Sequence, residues 1–146
     1  MNKIGKVLDI NISEEKGTVK RPIDKGMFVE DFGLKGDAHG GKWHRQVSLL
    51  GVESYRKMES MGVKGLKHGD FAENITTEGI ILHELPIGTR LRIGETIQEV
   101  TQIGKECHTS CAIAKQVGKC IMPKEGIFTK VIKGGVVKKG DIIEVL

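Results

Sequence analysis

The sequence predicts a mainly β fold, a closed or nearly closed barrel of about eight short strands with only two short helices. Three observations point to it. Short stretches of alternating apolar and polar residues recur along the chain, separated by turn residues. Glycine is abundant, 20 residues against 3 prolines, which supplies many turns and close backbone approaches. With 4 Phe, 1 Trp and 1 Tyr, the core falls to Ile, Val and Leu, which are mostly strand formers.

Residues 3–12 (KIGKVLDINI) come near strict alternation and read as a strand, with 15–22 as a hairpin return. A short strand is expected at 27–32. Residues 33–43 (GLKGDAHGGKW) hold four glycines in eleven positions and read as a loop, from which 44–50 (HRQVSLL) leaves as a strand. Val52, Tyr55, Met58 and Met61 recur at helical spacing, so 51–61 is the best helix, closed by Gly62. A strand is expected at 71–76, a connection around Gly79, and 80–85 leads to Pro86. Residues 89–93 and 96–103 alternate around Gly94-Glu95 and read as a hairpin. A short helix is expected at 108–117, and strands at 126–132 and 141–145 flank the turn-strand-turn KGGVVKKG.

A length of 146 residues fits one domain, 1–146, large enough to fold without a disulfide or metal. With 38% hydrophobic and 29% charged residues the chain is neither disordered nor a membrane protein, and no apolar run approaches a bilayer span. The start MNKIGKVLDINIS lacks the apolar core of a secretion signal, so a cytoplasmic location is expected. The net charge of +4 is mild: it fits a solvated lysine-rich surface or a site for an anionic ligand such as a phosphate. Dispersed lysines and scarce aromatics argue against nucleic acid.

All 3 cysteines lie between Cys107 and Cys120, in a pattern that does not suit a disulfide framework. Three readings stand for the Cys107-His108-Thr109-Ser110-Cys111 run with Cys120. The thiols are small buried residues, a reading that suits Cys111 and Cys120 best. Alternatively, three thiols and His108 hold zinc, although C-x3-C with one later Cys is not a paired knuckle. Or Cys107 is a reactive thiolate at a helix start, its pKa lowered by the helix end, Lys105 and His108. The 33–41 loop is a second candidate. Glycine lets backbone N–H groups form an anion-binding nest, with Lys35, His39 and Arg45 as side-chain donors and Asp37 to orient one of them; a plain surface loop is the alternative. Asn74 is unusual within a strand and marks a bulge, a turn or a ligand contact. The Val52–Met61 stripe reads as core packing, and His68 and His83 as structural.

The succession GLKGDAHGG, HRQVSLL, DFAENITTEGI, IGTRLRIGETIQEVTQIGKECH and CIMPKEGIFTKVIKGGVVKKGDIIEV resembles small standalone bacterial proteins of the MOSC (molybdenum cofactor sulfurase C-terminal) domain family. The resemblance runs from about Gly33 to Leu146 and rests on the order and spacing of these segments. It implies a MOSC-like β-barrel of mixed strands with two or three short helices. Relatives include the C-terminal domain of eukaryotic molybdenum cofactor sulfurases and the mitochondrial amidoxime-reducing components.

In those relatives a cleft holds the molybdenum cofactor (molybdopterin), and a cysteine carries sulfur or ligates the metal. That cysteine maps to Cys107, the loop to Gly33–His39 with Lys35, Gly36, Asp37 and His39, and the asparagine to Asn74. Arg45 and Gln46 begin the following strand, while Lys105 and His108 flank the cysteine. Lys105-Glu106 stands where relatives often carry Arg or Pro, and Glu106 works against a low thiol pKa. Cys111 and Cys120 are candidates to resolve a persulfide or disulfide.

The implied function is a molybdenum or tungsten cofactor-binding sulfur carrier. Cys107 accepts sulfane sulfur from a cysteine desulfurase or other donor in trans, because no pyridoxal phosphate site is seen, and delivers it to a molybdoenzyme or cofactor-assembly protein. One alternative is a reductase of N-hydroxylated compounds with Cys107 as metal ligand. Another is a non-catalytic metal-binding module. A monomer or a homodimer fits either.

Overall fold

The computed structural model describes residues 3–16, 18–104 and 125–146. The chain forms β1 (Ile4–Ile12), β2 (Arg21–Ile23), β3 (Lys25–Val29), β4 (Gly33–Leu34) and β5 (Val47–Gly51), then α1 (Val52–Ser60) and β6 (Ile75–Glu78). A 3-10 turn (Leu82–Glu84) leads to β7 (Arg90–Ile93) and β8 (Thr96–Ile103), followed by β9 (Ile127–Lys133), β10 (Gly135–Lys138) and β11 (Ile142–Val145). Seven strands close a mixed barrel in the order β1-β11-β7-β8-β9-β5-β6, with β6 returning to β1. Neighbours are antiparallel except β5 and β6. The expectation of a mainly β barrel therefore holds, with one α-helix and a 3-10 turn among the described residues. None of these helices is long and apolar enough to cross a membrane.

Closure needs curvature, and bulges supply it. The β1–β6 register slips between Val7 and Asp9, and the β8–β9 register slips twice. Barrel-facing side chains, including Val7, Ile10, Leu49, Ile75, Leu91, Ile93, Val100, Ile127 and Ile143, form one aliphatic core. A small sheet, β10-β3-β4, caps it through Phe28, Leu34 and Val137, all buried in that core.

The parallel β5–β6 pair requires a crossover, and α1 lies within it. Every residue of β5 is buried, because its outer face is covered as well. Leu50 packs outward with Tyr55, Met58, Phe71, Ala72 and Phe128 in a second cluster under the helix. Tyr55 and Met58 of the expected stripe are buried, whereas Met61 lies past the helix end and is 57% exposed. Gly62, at φ +95°, ends the helix as expected, with its N–H bonded to the Glu59 carbonyl at 3.0 Å.

Two strands begin later than the sequence suggests. Strand β6 starts at Ile75 rather than 71, because Phe71 and Ala72 are drawn under the helix and Ala72 takes φ +64°. Strand β5 starts at Val47 because His44 and Arg45 still belong to the loop. The expected helix at 108–117 lies outside the described residues.

Replacing a fully buried phenylalanine leaves a cavity that cannot collapse. Phe28→Ala is expected to lower unfolding free energy by roughly 3–5 kcal/mol in urea titration. Met27→Ala, on the exposed face of the same strand, should stay within about 0.5 kcal/mol of wild type.

Candidate functional site

Residues 33 and 34, expected as loop, instead form β4, where Gly33, at φ +117°, lets the chain pass against Gln46; a Cβ there would meet the Gln46 carbonyl oxygen at 2.5 Å. Beyond it the backbone folds on itself. The N–H groups of Asp37, Ala38, Gly40 and Gly41 donate to the carbonyls of Leu34, Ser13, Asp37 and Phe32, and that of His39 to Asp37 Oδ2. Five consecutive amides are thus engaged internally. The expected backbone nest is not what residues 37–41 offer outward; side chains are.

Those side chains are set by a buried ion pair. Lys20 and Asp37 have fully buried side chains, with Nζ 2.8 Å from Oδ1. Lys20 Nζ also lies 3.0 Å from Ser13 Oγ and 3.1 Å from His39 Nδ1. Asp37 Oδ1 accepts the Ser13 N–H at 3.0 Å. Burial works against the Asp37 charge, but the Lys20 ammonium and the backbone N–H groups of Ser13 and His39 outweigh it and hold the carboxyl well below the usual range. The His39 ring nitrogen is 3.7 Å from Oδ2, longer than a hydrogen bond, so the ammonium and the two backbone N–H groups are the principal holders.

A second cluster follows directly. Trp43 Nε1 donates to the His39 carbonyl at 2.8 Å, and its ring lies under Lys16 and Arg45 at 5.5 and 5.9 Å. The Arg45 guanidinium also lies 5.5 Å from the Phe128 ring, and its Nε donates to Gln102 Oε1 at 3.2 Å. His44 Nε2 meets the same oxygen at 2.9 Å, and the His44 carbonyl accepts the Thr101 hydroxyl. Gln102 Nε2 in turn donates to the Gly104 carbonyl at 2.7 Å. The loop is thereby tied to the end of β8, with His44 and Arg45 at that strand and Lys16 over the neighbouring Trp43 ring.

The structure thus joins Asp37, His39 and Arg45, with Lys35 and Gly36 exposed on the same loop. Asn74 is spent in the barrel wall: Oδ1 accepts from the Ser48 N–H and hydroxyl at 3.0 and 3.2 Å, and Nδ2 donates to the Asn11 carbonyl at 3.3 Å. Cys107, Lys105, His108, Cys111 and Cys120 lie outside the described residues. His68, expected to be structural without an evident partner, lies 2.5 Å from Asp9 through Nδ1 and Oδ2. Sequence reasoning missed Lys20, Trp43 and Gln102. The Trp43-His44-Arg45 run was a usable signal; nothing in TVKRP distinguishes Lys20 from a solvated lysine.

Beside Asn74, Glu73 is fully buried. Tyr55, Thr76 and the Gly69 N–H donate to its Oε2 at 2.6, 2.8 and 3.2 Å, while Oε1 has no partner among the described residues. Burial raises the carboxyl pKa against those hydrogen bonds. Among the described residues no group of three or more His, Cys, Asp or Glu side chains is placed to hold a metal ion.

The MOSC domain family matches residues 35–144 of this chain. A curated relative, the uncharacterized protein YflK of Bacillus subtilis, is 26% identical over 145 residues, covering 90% of this chain and 64% of that protein. The crystal structure of the YuaD protein from Bacillus subtilis superposes with a TM-score of 0.80 at 21% identity, over 97% of this chain and 95% of the other. That of YiiM from Geobacillus stearothermophilus gives 0.74 at 18% identity, over 97% and 75%. At these identities the structural likeness establishes the fold.

Because the pKa of Glu73 is raised in the folded state, its neutral form favours folding and that contribution is lost as pH rises above the ordinary glutamate range. Glu73→Gln, which cannot ionise, should gain thermal stability relative to wild type as pH rises from about 5 to about 9. Melting curves across that range check it; a constant difference between the two proteins contradicts it.

Proposed function

The chain belongs to the MOSC domain family, which is linked in general to molybdenum cofactor sulfuration or binding, and on that premise we propose that it binds the pterin cofactor of molybdenum or tungsten and carries sulfur to it on Cys107. The observation that carries this reading is the Arg45 cluster. A guanidinium lies over the Trp43 and Phe128 rings and bonds Gln102, whose amide N–H also bonds the Gly104 carbonyl, and Cys107 follows Gly104 three residues later in the sequence.

The donor set suits such a cofactor. Arg45 uses Nε for Gln102, and among the described residues its terminal N–H groups have no hydrogen-bond partner, which suits an anion such as phosphate. Lys35 and the outer edge of His39 add donors, and the one carboxylate among them, Asp37, is neutralised by Lys20. Such residues would hold the phosphate and the polar edge of the pterin, while the group itself would supply the metal centre that accepts sulfur.

The chain's own step is a sulfur transfer without net oxidation. The Cys107 thiolate attacks the outer sulfur of a donor persulfide. A new S–S bond forms on Cys107, the donor's S–S bond breaks, and the donor leaves as its thiolate. A cysteine desulfurase is the matching donor, and a molybdoenzyme or cofactor-assembly protein the matching acceptor.

Incubation with a cysteine desulfurase and cysteine should add one reducible sulfur atom to the wild type by intact mass, and none to Cys107→Ala. Equal labelling of the two proteins would rule out the carrier role. Arg45→Ala should leave sulfur loading intact but weaken retention of pterin roughly tenfold or more, read as fluorescent pterin released from purified protein; unchanged retention removes Arg45 from the site.

A further inference from the structure

The Lys20–Asp37–His39 arrangement does more than neutralise a charge. A lysine ammonium has three donors and no acceptor. With Lys20 Nζ at 3.1 Å, His39 Nδ1 can only be the acceptor, and a proton on that nitrogen would face the ammonium's own hydrogens. A neutral ring must then carry its proton on Nε2. We propose that Lys20 is a positioning residue that fixes His39 as the Nε2–H tautomer, so that the glycine-rich loop presents a neutral N–H donor to a phosphate oxygen of the bound ligand.

The rest of the cluster is built to hold that geometry. Lys20 cannot swing away, because Asp37 and Ser13 take its other directions at 2.8 and 3.0 Å in a fully buried pocket. The His39 backbone is fixed as well, its N–H held by Asp37 and its carbonyl by Trp43, and the bond from Lys20 to Nδ1 sets the ring. The ring itself stays 22% exposed, and Nε2 has no partner among the described residues. Asp37 competes for the opposite tautomer, because its Oδ2 lies 3.7 Å from Nδ1 and would accept a proton carried there. Lys20 wins on distance, and only while its ammonium is present.

This competition gives a sharp test that does not depend on activity. The tautomer lock stands on the geometry alone; only the identity of the ligand rests on the proposed function. Long-range proton–nitrogen NMR on histidine-labelled protein, with His39 assigned through His39→Gln and recorded at a pH where imidazoles are neutral, reads the tautomer directly. In the wild type, Nδ1 should show the shift of an unprotonated nitrogen and Nε2 that of a protonated one. Lys20→Met should move the proton to Nδ1, towards Asp37, whereas Lys20→Arg should keep it on Nε2.

A wild-type ring protonated on Nδ1, or a Lys20→Met ring indistinguishable from wild type, overturns the proposal. If Lys20→Met does not fold, Asp37→Asn decides: the proton should stay on Nε2, and a move to Nδ1 would show that Asp37 rather than Lys20 sets the tautomer. Inorganic phosphate should then shift the Nε2–H resonance of the wild type. Failure of that step alone overturns the ligand assignment and leaves both the lock and sulfur loading at Cys107 standing.

Discussion

The loop beside the barrel depends on one buried ion pair. Taking an ammonium and a carboxylate out of water costs several kcal/mol per ion, and attraction offsets this only where geometry and additional hydrogen bonds are good. Here the carboxylate accepts two backbone N–H groups as well as the ammonium, and the ammonium also meets a serine hydroxyl. Those bonds reach three separate stretches of chain: the end of β1, the return that follows it, and the glycine-rich loop. Because Ala38 N–H also donates to the Ser13 carbonyl, at 2.9 Å, the loop is sewn to the β1 end by both backbone and side chain. A glycine-rich segment that would otherwise sample many conformations is thereby held to one.

Legibility of the sequence followed the range of the interactions. The Gly94-Glu95 hairpin, the KGGVVKKG segment and the helix at 52–60 are specified by neighbours in sequence, and all stand where local pattern puts them. Strand β6 was misplaced because the fate of Phe71 and Ala72 is set by α1, a contact across the crossover that no local window contains. The same limit applies in the loop. Glycine content announced an irregular segment correctly, but whether its amides face a ligand or one another depends on the carbonyls of Ser13 and Phe32 that fold over them. Lys20 was invisible for a related reason: burial of a lysine is decided by its partners, and Asp37 lies 17 positions away.

Strand β5 couples this loop to the rest of the protein. Its inner face builds the aliphatic barrel core through Val47 and Leu49, and its outer face builds the cluster under α1 through Leu50. Phe128 belongs to that outer cluster and also lies under Arg45. The orientation of the guanidinium therefore rests on helix packing as much as on its own hydrogen bond. Asn74 and Ser48 brace the same strand from the other side, which gives the buried asparagine a full account in the architecture of the wall.

The bond from the Gly104 N–H to the Gly126 carbonyl, 2.6 Å long, extends the β8–β9 ladder beyond its last strand residues and draws together the two points between which residue 107 is carried. Pairing carried this far holds the ends of β8 and β9 together, and with them Gln102, whose side-chain oxygen receives both His44 and Arg45. The side chains of Arg45 and His44 therefore take their position from the barrel wall itself, through the strand whose end that bond secures.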